Sequence, residues 1–364
     1  MKGQKPVVDR WLFLTTVALL VIGLVMVYSA SVVSASHKFG DPLYFLKRQL
    51  LFAAIGVTLM ILVSRLDYHV WRSFAKIGLI VCFMLLAIVL IPGVGLSRGG
   101  ARSWLGVGAF SIQPSEFMKF GLIVFLSGYL SERQNRLRTL IKGIGAALLP
   151  VLAAFGLIML QPDLGTGIVL VLTCLTMLFV AGARTSHFVL MGAFGLCGIA
   201  ALVISAPYRI KRLVSFINPW QDPNGSGFQI IQSLLAIGPG GLFGFGLGQS
   251  RQKYQFLPEA QNDFIFSIIS EELGFIGAMA VLLLFALLLW RGILIAIRAR
   301  DLFGTLLAVG ITAMIAIQVM INIAVVTGLI PVTGITLPFL SYGGSSLTLI
   351  LVSVGILLSI SRRS

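Results

Sequence analysis

Acidic and basic side chains are scarce in this sequence, so those beside long apolar runs are the first candidates for chemistry. Asp263 lies in Leu257-Pro258-Glu259-Ala260-Gln261-Asn262-Asp263-Phe264-Ile265-Phe266, at the mouth of an apolar stretch. If a helix begins there, Asp263, Ser267 and Glu271 fall at i, i+4 and i+8 and share one face. Carboxylates entering partly dry cavities titrate closer to neutrality, which suits a general base; the structural alternative is a helix N-terminal charge favoured by the dipole. Glu116 and Lys119 form an i, i+3 pair just after Gln113-Pro114-Ser115, and either face a substrate or brace two helices as an internal ion pair. Arg102, Arg209, Lys211, Arg212, Arg251 and Lys253 form a basic set able to grip a pyrophosphate or touch anionic lipid headgroups. Asp163, in Gln161-Pro162-Asp163-Leu164-Gly165-Thr166-Gly167, is placed to cap the next helix.

No Ser/His/Asp nucleophile set is visible. Cys82, Cys174 and Cys197 all fall in apolar runs, and His37, His69 and His187 are scattered, so neither a disulfide nor a metal site is expected.

The elements that must position these groups are set by hydropathy. Hydrophobic residues make up 58% of the 364 and charged residues 11%, with mean hydropathy +1.01. A soluble domain carries roughly a quarter charged residues, and the alternating segments of a membrane barrel are absent. The fold class is therefore all-α: a polytopic membrane bundle in which about twenty apolar residues make each span. Ten spans are expected, near 11–32, 49–66, 73–92, 114–131, 143–161, 165–183, 187–206, 263–290, 304–327 and 344–360. The first is longer than a signal-peptide core and is expected to be a retained anchor.

Charge sets the orientation. With both ends cytoplasmic, sixteen Lys and Arg fall inside and ten outside, with Lys119 within a span. The net charge of +15 is thus explained by loops and headgroups, not by nucleic acid. The whole chain forms one transmembrane domain with one long outer loop, 207–262. That loop is too apolar for disorder, and its Gly238-Pro239-Gly240-Gly241-Leu242-Phe243-Gly244-Phe245-Gly246-Leu247-Gly248 stretch cannot be an ordinary span. Non-helical backbone at membrane depth must be buried in protein or line a wet cavity, so a partly re-entrant cap is expected. The glycines do not make a dinucleotide site, because no strand or βαβ unit flanks them.

Taken in order, several motifs resemble the SEDS family (shape, elongation, division, sporulation), most closely its FtsW branch with its sporulation members. They are Gly100-Ala101-Arg102-Ser103-Trp104-Leu105, Gln113-Pro114-Ser115-Glu116-Phe117-Met118-Lys119 and Gln161-Pro162-Asp163-Leu164-Gly165-Thr166. Asn218-Pro219-Trp220, Gly225-Ser226-Gly227-Phe228-Gln229, Leu257-Pro258-Glu259 with Asp263-Phe264-Ile265-Phe266, Gly328 to Pro331, and Pro338-Phe339-Leu340-Ser341-Tyr342-Gly343-Gly344-Ser345-Ser346 complete the set. The resemblance implies a peptidoglycan glycosyltransferase that polymerises lipid II into a growing glycan strand outside the cytoplasmic membrane. It also implies a class B penicillin-binding protein as partner. Asp263 then corresponds to the family's essential acid. Arg48, Arg102, Glu116, Lys119, Arg209, Lys211, Arg212, Arg251, Lys253, Glu259 and Ser345 are the candidate substrate-binding residues. No cofactor is required by the residues, although Mg²⁺ or another divalent cation could help neutralise the pyrophosphate. Two positions depart from the family pattern: Asn262 stands where Thr is common, and Thr333 where some division members carry Lys. The competing expectations are a lipid II flippase, which needs polar groups through the bundle depth, and a scaffold that only recruits the penicillin-binding protein.

Orientation is directly testable. In a variant lacking the three native cysteines, an impermeant thiol reagent added outside should label a cysteine at Asn224 and spare one at Gln134; the reverse pattern overturns the charge-based topology.

Overall fold

The computed structural model describes residues 8–98, 101–107, 110–134, 140–204, 210, 214, 216–225, 227–254 and 256–364. Eleven α-helices occur among them: α1 Arg10–Phe39, α2 Tyr44–Arg65, α3 Val70–Leu90, α4 Pro114–Glu132, α5 Ala146–Met159, α6 Leu164–Val180, α7 Thr185–Ile204, α8 Phe228–Ile237, α9 Ile265–Arg298, α10 Leu302–Val326 and α11 Gly344–Arg363. Each of the ten expected spans overlaps a helix, and α8 is an additional short one inside the 207–262 loop. By length and composition alone α1, α2, α3, α9, α10 and α11 can cross a membrane, while the apolar segments Gly143–Met159 and Leu164–Val180 are shorter. Between α3 and α4 a small antiparallel sheet was not expected: β1 Leu96–Arg98, β2 Ala101–Val107 and β3 Phe110–Ile112, in the order β1-β2-β3.

The burial pattern is that of a protein whose solvent is lipid. Leu14, Val21 and Val25 on α1, Phe74, Ile77 and Met84 on α3, and Leu283, Ile293 and Ile297 on α9 point outward. Polar side chains turn inward instead, among them Thr16, Gln49, Ser115, Lys119, Glu271, Glu272, Gln318 and Asn322. Helices approach closely where glycine removes the side chain, as expected where apolar burial between helices gives little drive. On α11, a Cβ at Gly355 would lie 2.7 Å from the Met60 carbonyl oxygen of α2.

The face that carries both chain ends is tied by charge. Asp9 caps α1 by accepting from the Leu12 N–H, its own N–H donates to Ser361 Oγ at 3.2 Å, and Arg291 of α9 pairs with its carboxylate at 2.5 Å. Arg363 pairs with Asp67, and the Tyr68 hydroxyl donates to Asp301, the cap of α10, at 2.6 Å. Burial and that carboxylate push the Tyr68 phenol above its ordinary range. The start of α1 and the end of α11 therefore lie on one side.

On the opposite side α9 is broken. Gly274 adopts φ 65° and ψ −166° inside it, which frees backbone groups that a continuous helix would pair. The Gly-rich stretch supplies the partners: Phe275 and Ile276 N–H donate to the Gly241 and Leu242 carbonyls (2.8 and 3.1 Å), while Phe245 and Gly246 N–H donate to the Glu271 and Glu272 carbonyls (3.0 and 2.9 Å). The two backbones come so close that a Cβ at Gly240 would stand 2.2 Å from the Ser270 oxygen, and one at Gly244 2.2 Å from the Glu272 oxygen. Two buried carboxylates complete the joint. Glu271 accepts from Ser250 Oγ (2.5 Å) and Arg251 N–H (2.8 Å). Glu272, fully buried, accepts from Ser29 Oγ on α1 (2.6 Å), Gly248 N–H (2.9 Å) and Ser250 N–H (3.2 Å). Ahead of this joint, α8 is fixed by Ser233 Oγ, which donates to the Val326 carbonyl at the end of α10 (2.7 Å) and meets Ser267 Oγ (2.7 Å).

Gly240→Ala should therefore destabilise the detergent-solubilised protein by about 2–3 kcal/mol through forced overpacking. Gly238→Ala, two residues away with nothing within 4 Å of an added Cβ, should stay within about 0.5 kcal/mol. Parallel thermal unfolding curves of the two variants check this, and equal shifts would contradict the close backbone approach.

Candidate active site

Asp263 stands half-buried in the turn before α9, whose first helical residue is Ile265 with Phe264 as N-cap. The expected helical stripe of Asp263, Ser267 and Glu271 therefore does not form: the helix starts two residues late, Ser267 turns to α8, and Glu271 turns to the Gly-rich stretch. What holds Asp263 instead is a set of polar ties to the segment 330–343. Asn322 Nδ2 donates to the Asp263 carbonyl (2.8 Å) and to the Ile335 carbonyl (2.7 Å). Ser341 Oγ donates to the Asn262 carbonyl (2.6 Å) and accepts from the Leu337 N–H (2.8 Å), and Tyr342 N–H donates to the Gln261 carbonyl (2.9 Å). Gln49 of α2, wholly buried, grips the same segment from behind: Nε2 donates to the Ser341 carbonyl (3.1 Å) and Oε1 accepts from the Gly343 N–H (3.3 Å). Gly334, at φ 76°, passes beside the carboxylate, and a Cβ there would lie 3.7 Å from Asp263 Oδ2. Glu259, itself at φ 53°, accepts from Asn262 Nδ2 at 2.5 Å and so shapes this turn.

A second polar group gathers at the start of α4, α6 and α11. Lys119 pairs with Glu116 at 2.7 Å, with Lys119 only 3% exposed, and Ser346 Oγ donates to the other Glu116 oxygen at 3.1 Å. The α11 hydroxyl reaching this pair is thus Ser346, while its neighbour Ser345 is buried at the same helix start. Asp163 caps α6 by accepting from the Thr166 N–H (3.1 Å), as its position suggested, and also accepts from Gln113 Nε2 (3.1 Å). Gln113 ties the Asp163 cap to the start of α4, and Ser346 ties α11 to Glu116, so the starts of α4, α6 and α11 meet around these charges.

The basic candidates separate into different settings. Lys253 is bound inside the protein, 5% exposed, donating to the Gly248 carbonyl (2.5 Å) and pairing with Glu272 at 3.3 Å. It serves the Gly-rich joint. Arg48 donates to its own helix neighbour, the Tyr44 hydroxyl, at 2.5 Å. Arg251 lays its guanidinium 4.9 Å from the Phe245 ring centre and stays exposed, and Arg102 is exposed on β2. Arg209, Lys211 and Arg212 lie outside the described residues. Among the described residues no three His, Cys, Asp or Glu side chains come together as a metal site. Sequence reasoning missed Asn322, Gln49, Ser346 and Glu272; for the first two the available signal was an amide side chain inside an apolar span.

With this geometry in place, comparison with known proteins is decisive. The family model for FtsW, RodA and SpoVE, described as cell cycle protein, matches residues 10–364. The chain belongs to that family. It is 63% identical over 364 residues to stage V sporulation protein E of Bacillus subtilis, covering all of both chains. It is 46% identical to a probable peptidoglycan glycosyltransferase FtsW of Trichlorobacter lovleyi, covering 97% of this chain and 93% of the relative. Among solved structures it resembles a chain from a peptidoglycan synthase complex that coordinates polymerization and crosslinking, with TM-score 0.80, 32% identity and 98% of each chain covered. It also resembles the rod shape determining protein RodA of Thermus thermophilus, with TM-score 0.71, 31% identity and coverage of 98% and 97%. The motifs therefore pointed to the right family, and the chain is a multi-pass membrane protein like these relatives.

The buried Glu116–Lys119 pair generates a test within the family fold. Removing one partner strands a charge and should cost roughly 3–5 kcal/mol. Lys119→Met alone should unfold at lower temperature than Lys119→Met combined with Glu116→Gln, in which Ser346 retains an acceptor. A double variant no better than either single would refute the structural pairing and favour a direct role on substrate.

Proposed function

We propose that this chain is a peptidoglycan glycosyltransferase that extends glycan strands from lipid II on the outer side of the cytoplasmic membrane, for the division septum or the spore cortex. A class B penicillin-binding protein is its proposed partner and cross-links the product. The observation that carries the reading is the placement of Asp263: a carboxylate at the mouth of α9, beside a glycine, on a turn pinned by Asn322, Ser341 and Tyr342. The names of the relatives support the class of reaction. The likeness to a chain of the peptidoglycan synthase complex supports the partner.

In this reading a sugar hydroxyl of one lipid-linked saccharide attacks the anomeric carbon of another. Asp263 accepts the hydroxyl proton as the new C–O bond forms. The bond from the anomeric carbon to the pyrophosphate breaks, and the lipid pyrophosphate leaves with its electron pair. Exposed Arg102 and Arg251 are suited to stabilise that leaving charge as it develops, and Arg209, Lys211 and Arg212 are proposed to share the task. The Glu116–Lys119 pair and Asp163 fix the starts of α4, α6 and α11. A divalent cation on the pyrophosphate oxygens would supply further charge neutralisation.

Asp263→Asn keeps shape and hydrogen bonding but removes basicity. Polymerisation of purified lipid II by the protein with its transpeptidase partner should fall by roughly 10²- to 10⁴-fold, with membrane insertion and lipid II binding retained. Glu259→Gln should cost far less, because Glu259 shapes the turn through Asn262. Strands of ordinary length on a gel from the Asp263→Asn protein would remove this residue from the chemistry and revive the flippase alternative.

A further inference from the structure

We propose that Asn322 is a positioning residue for Asp263, fixing the distance between its carboxylate and the backbone wall formed by residues 333–335. The proposal rests on the reading of Asp263 as general base and adds the element that aims it. Asn322 is 1% exposed and lies in the last turns of α10. A carboxamide nitrogen has two N–H donors, and both are committed: one to the carbonyl of Asp263 itself (2.8 Å), the other to the carbonyl of Ile335 (2.7 Å). Two carbonyl acceptors on the same side fix which end of the amide faces them. Its Oδ1 is buried without a partner among the described residues, so the amide is held by these two donations alone.

The two carbonyls belong to the residue that bears the acid and to the residue after Gly334, which borders that acid. The wall cannot retreat on its other side. Gly165 of α6 packs so closely that a Cβ there would be 2.5 Å from the Thr333 oxygen. The wall is thus pressed against α6 while the Asp263 carbonyl is tied to α10, and Asn322 spans the two. Releasing the Asn322 tie returns backbone freedom to the turn before α9. Misplacing a reacting group by about 1 Å costs as much as ~10²-fold in rate.

Asn322→Leu removes both donors at nearly constant volume. In lipid II polymerisation by the purified protein with its transpeptidase partner, kcat should fall about 10- to 100-fold. The apparent KM should stay within about twofold, because substrate-binding groups are untouched, and the acid limb of the kcat–pH profile should move as the carboxylate changes surroundings. Asn322→Ser, which retains one donor, should lose less. A folded Asn322→Leu protein with undiminished kcat and an unmoved acid limb overturns the proposal, leaving Asn322 a structural tie. If Asn322→Leu does not fold, the same two readouts on Asn322→Ser decide between these outcomes. Asp263→Asn assayed alongside separates the two ideas. Normal polymer from it overturns the general base and the positioning role together, whereas its failure beside a normal Asn322 variant overturns positioning alone.

Discussion

Inside a bilayer no water is available for backbone N–H and C=O groups, so every break in a helix must be repaired by other protein groups. The architecture of the half opposite the chain ends follows from one such break. Gly274 interrupts α9, and the Gly-rich stretch offers its own backbone as the missing partner. That exchange explains why the stretch is rich in glycine, since any side chain at Gly240 or Gly244 would collide with the α9 carbonyls. It also explains why two adjacent glutamates sit at the start of a membrane helix. Glu271 and Glu272 use their side chains to hold the loop that their own carbonyls help to bind. Their charges are met by hydroxyls, backbone N–H groups and Lys253, the arrangement that buried carboxylates require.

The same economy of partners governs the turn that bears Asp263. It is not part of a helix, so its carbonyls need donor partners from elsewhere, and they find them in α10 and in the segment before α11. Asn322, Ser341 and Tyr342 each serve one of three consecutive residues, Asp263, Asn262 and Gln261. The acid is thereby mounted on backbone fixed by several distant parts of the chain rather than on one helix surface. The position of this acid and helix packing are coupled here, because Gln49 on α2 holds the segment that holds the turn.

How much of this was legible in the sequence follows from the range of each interaction. Spans are set by local hydropathy, so ten runs of apolar residues located ten helices. Asp163 as a cap and Glu116 with Lys119 as a pair are local too, and both stand as their spacing indicated. Asp263 stood out because an acid at the edge of an apolar run is costly. The start of α9 was misjudged by two residues, since nothing in Asp263-Phe264 distinguishes a last turn from a first helical turn. Lys253 looked like a ligand group because its partner, Glu272, is nineteen residues away and its burial depends on a fold of the loop that no periodicity reports. Single amides such as Asn322 and Gln49 carry no pattern; their roles exist only through carbonyls brought to them from elsewhere in the chain. The small sheet between α3 and α4 is too short to leave an alternating signature.

The ties on the face that carries both chain ends set an order of events in biosynthesis. Asp9 meets Arg291 and Ser361, and Asp67 meets Arg363. The first helix is therefore made long before its partners leave the ribosome, and the early helices must wait in the membrane with these charges unmatched. The segment that pins Asp263, residues 335–343, is also among the last to emerge. Assembly of the acid's mount and closure of the bundle thus finish together, and a nascent or truncated chain reaches the membrane with that mount still unassembled.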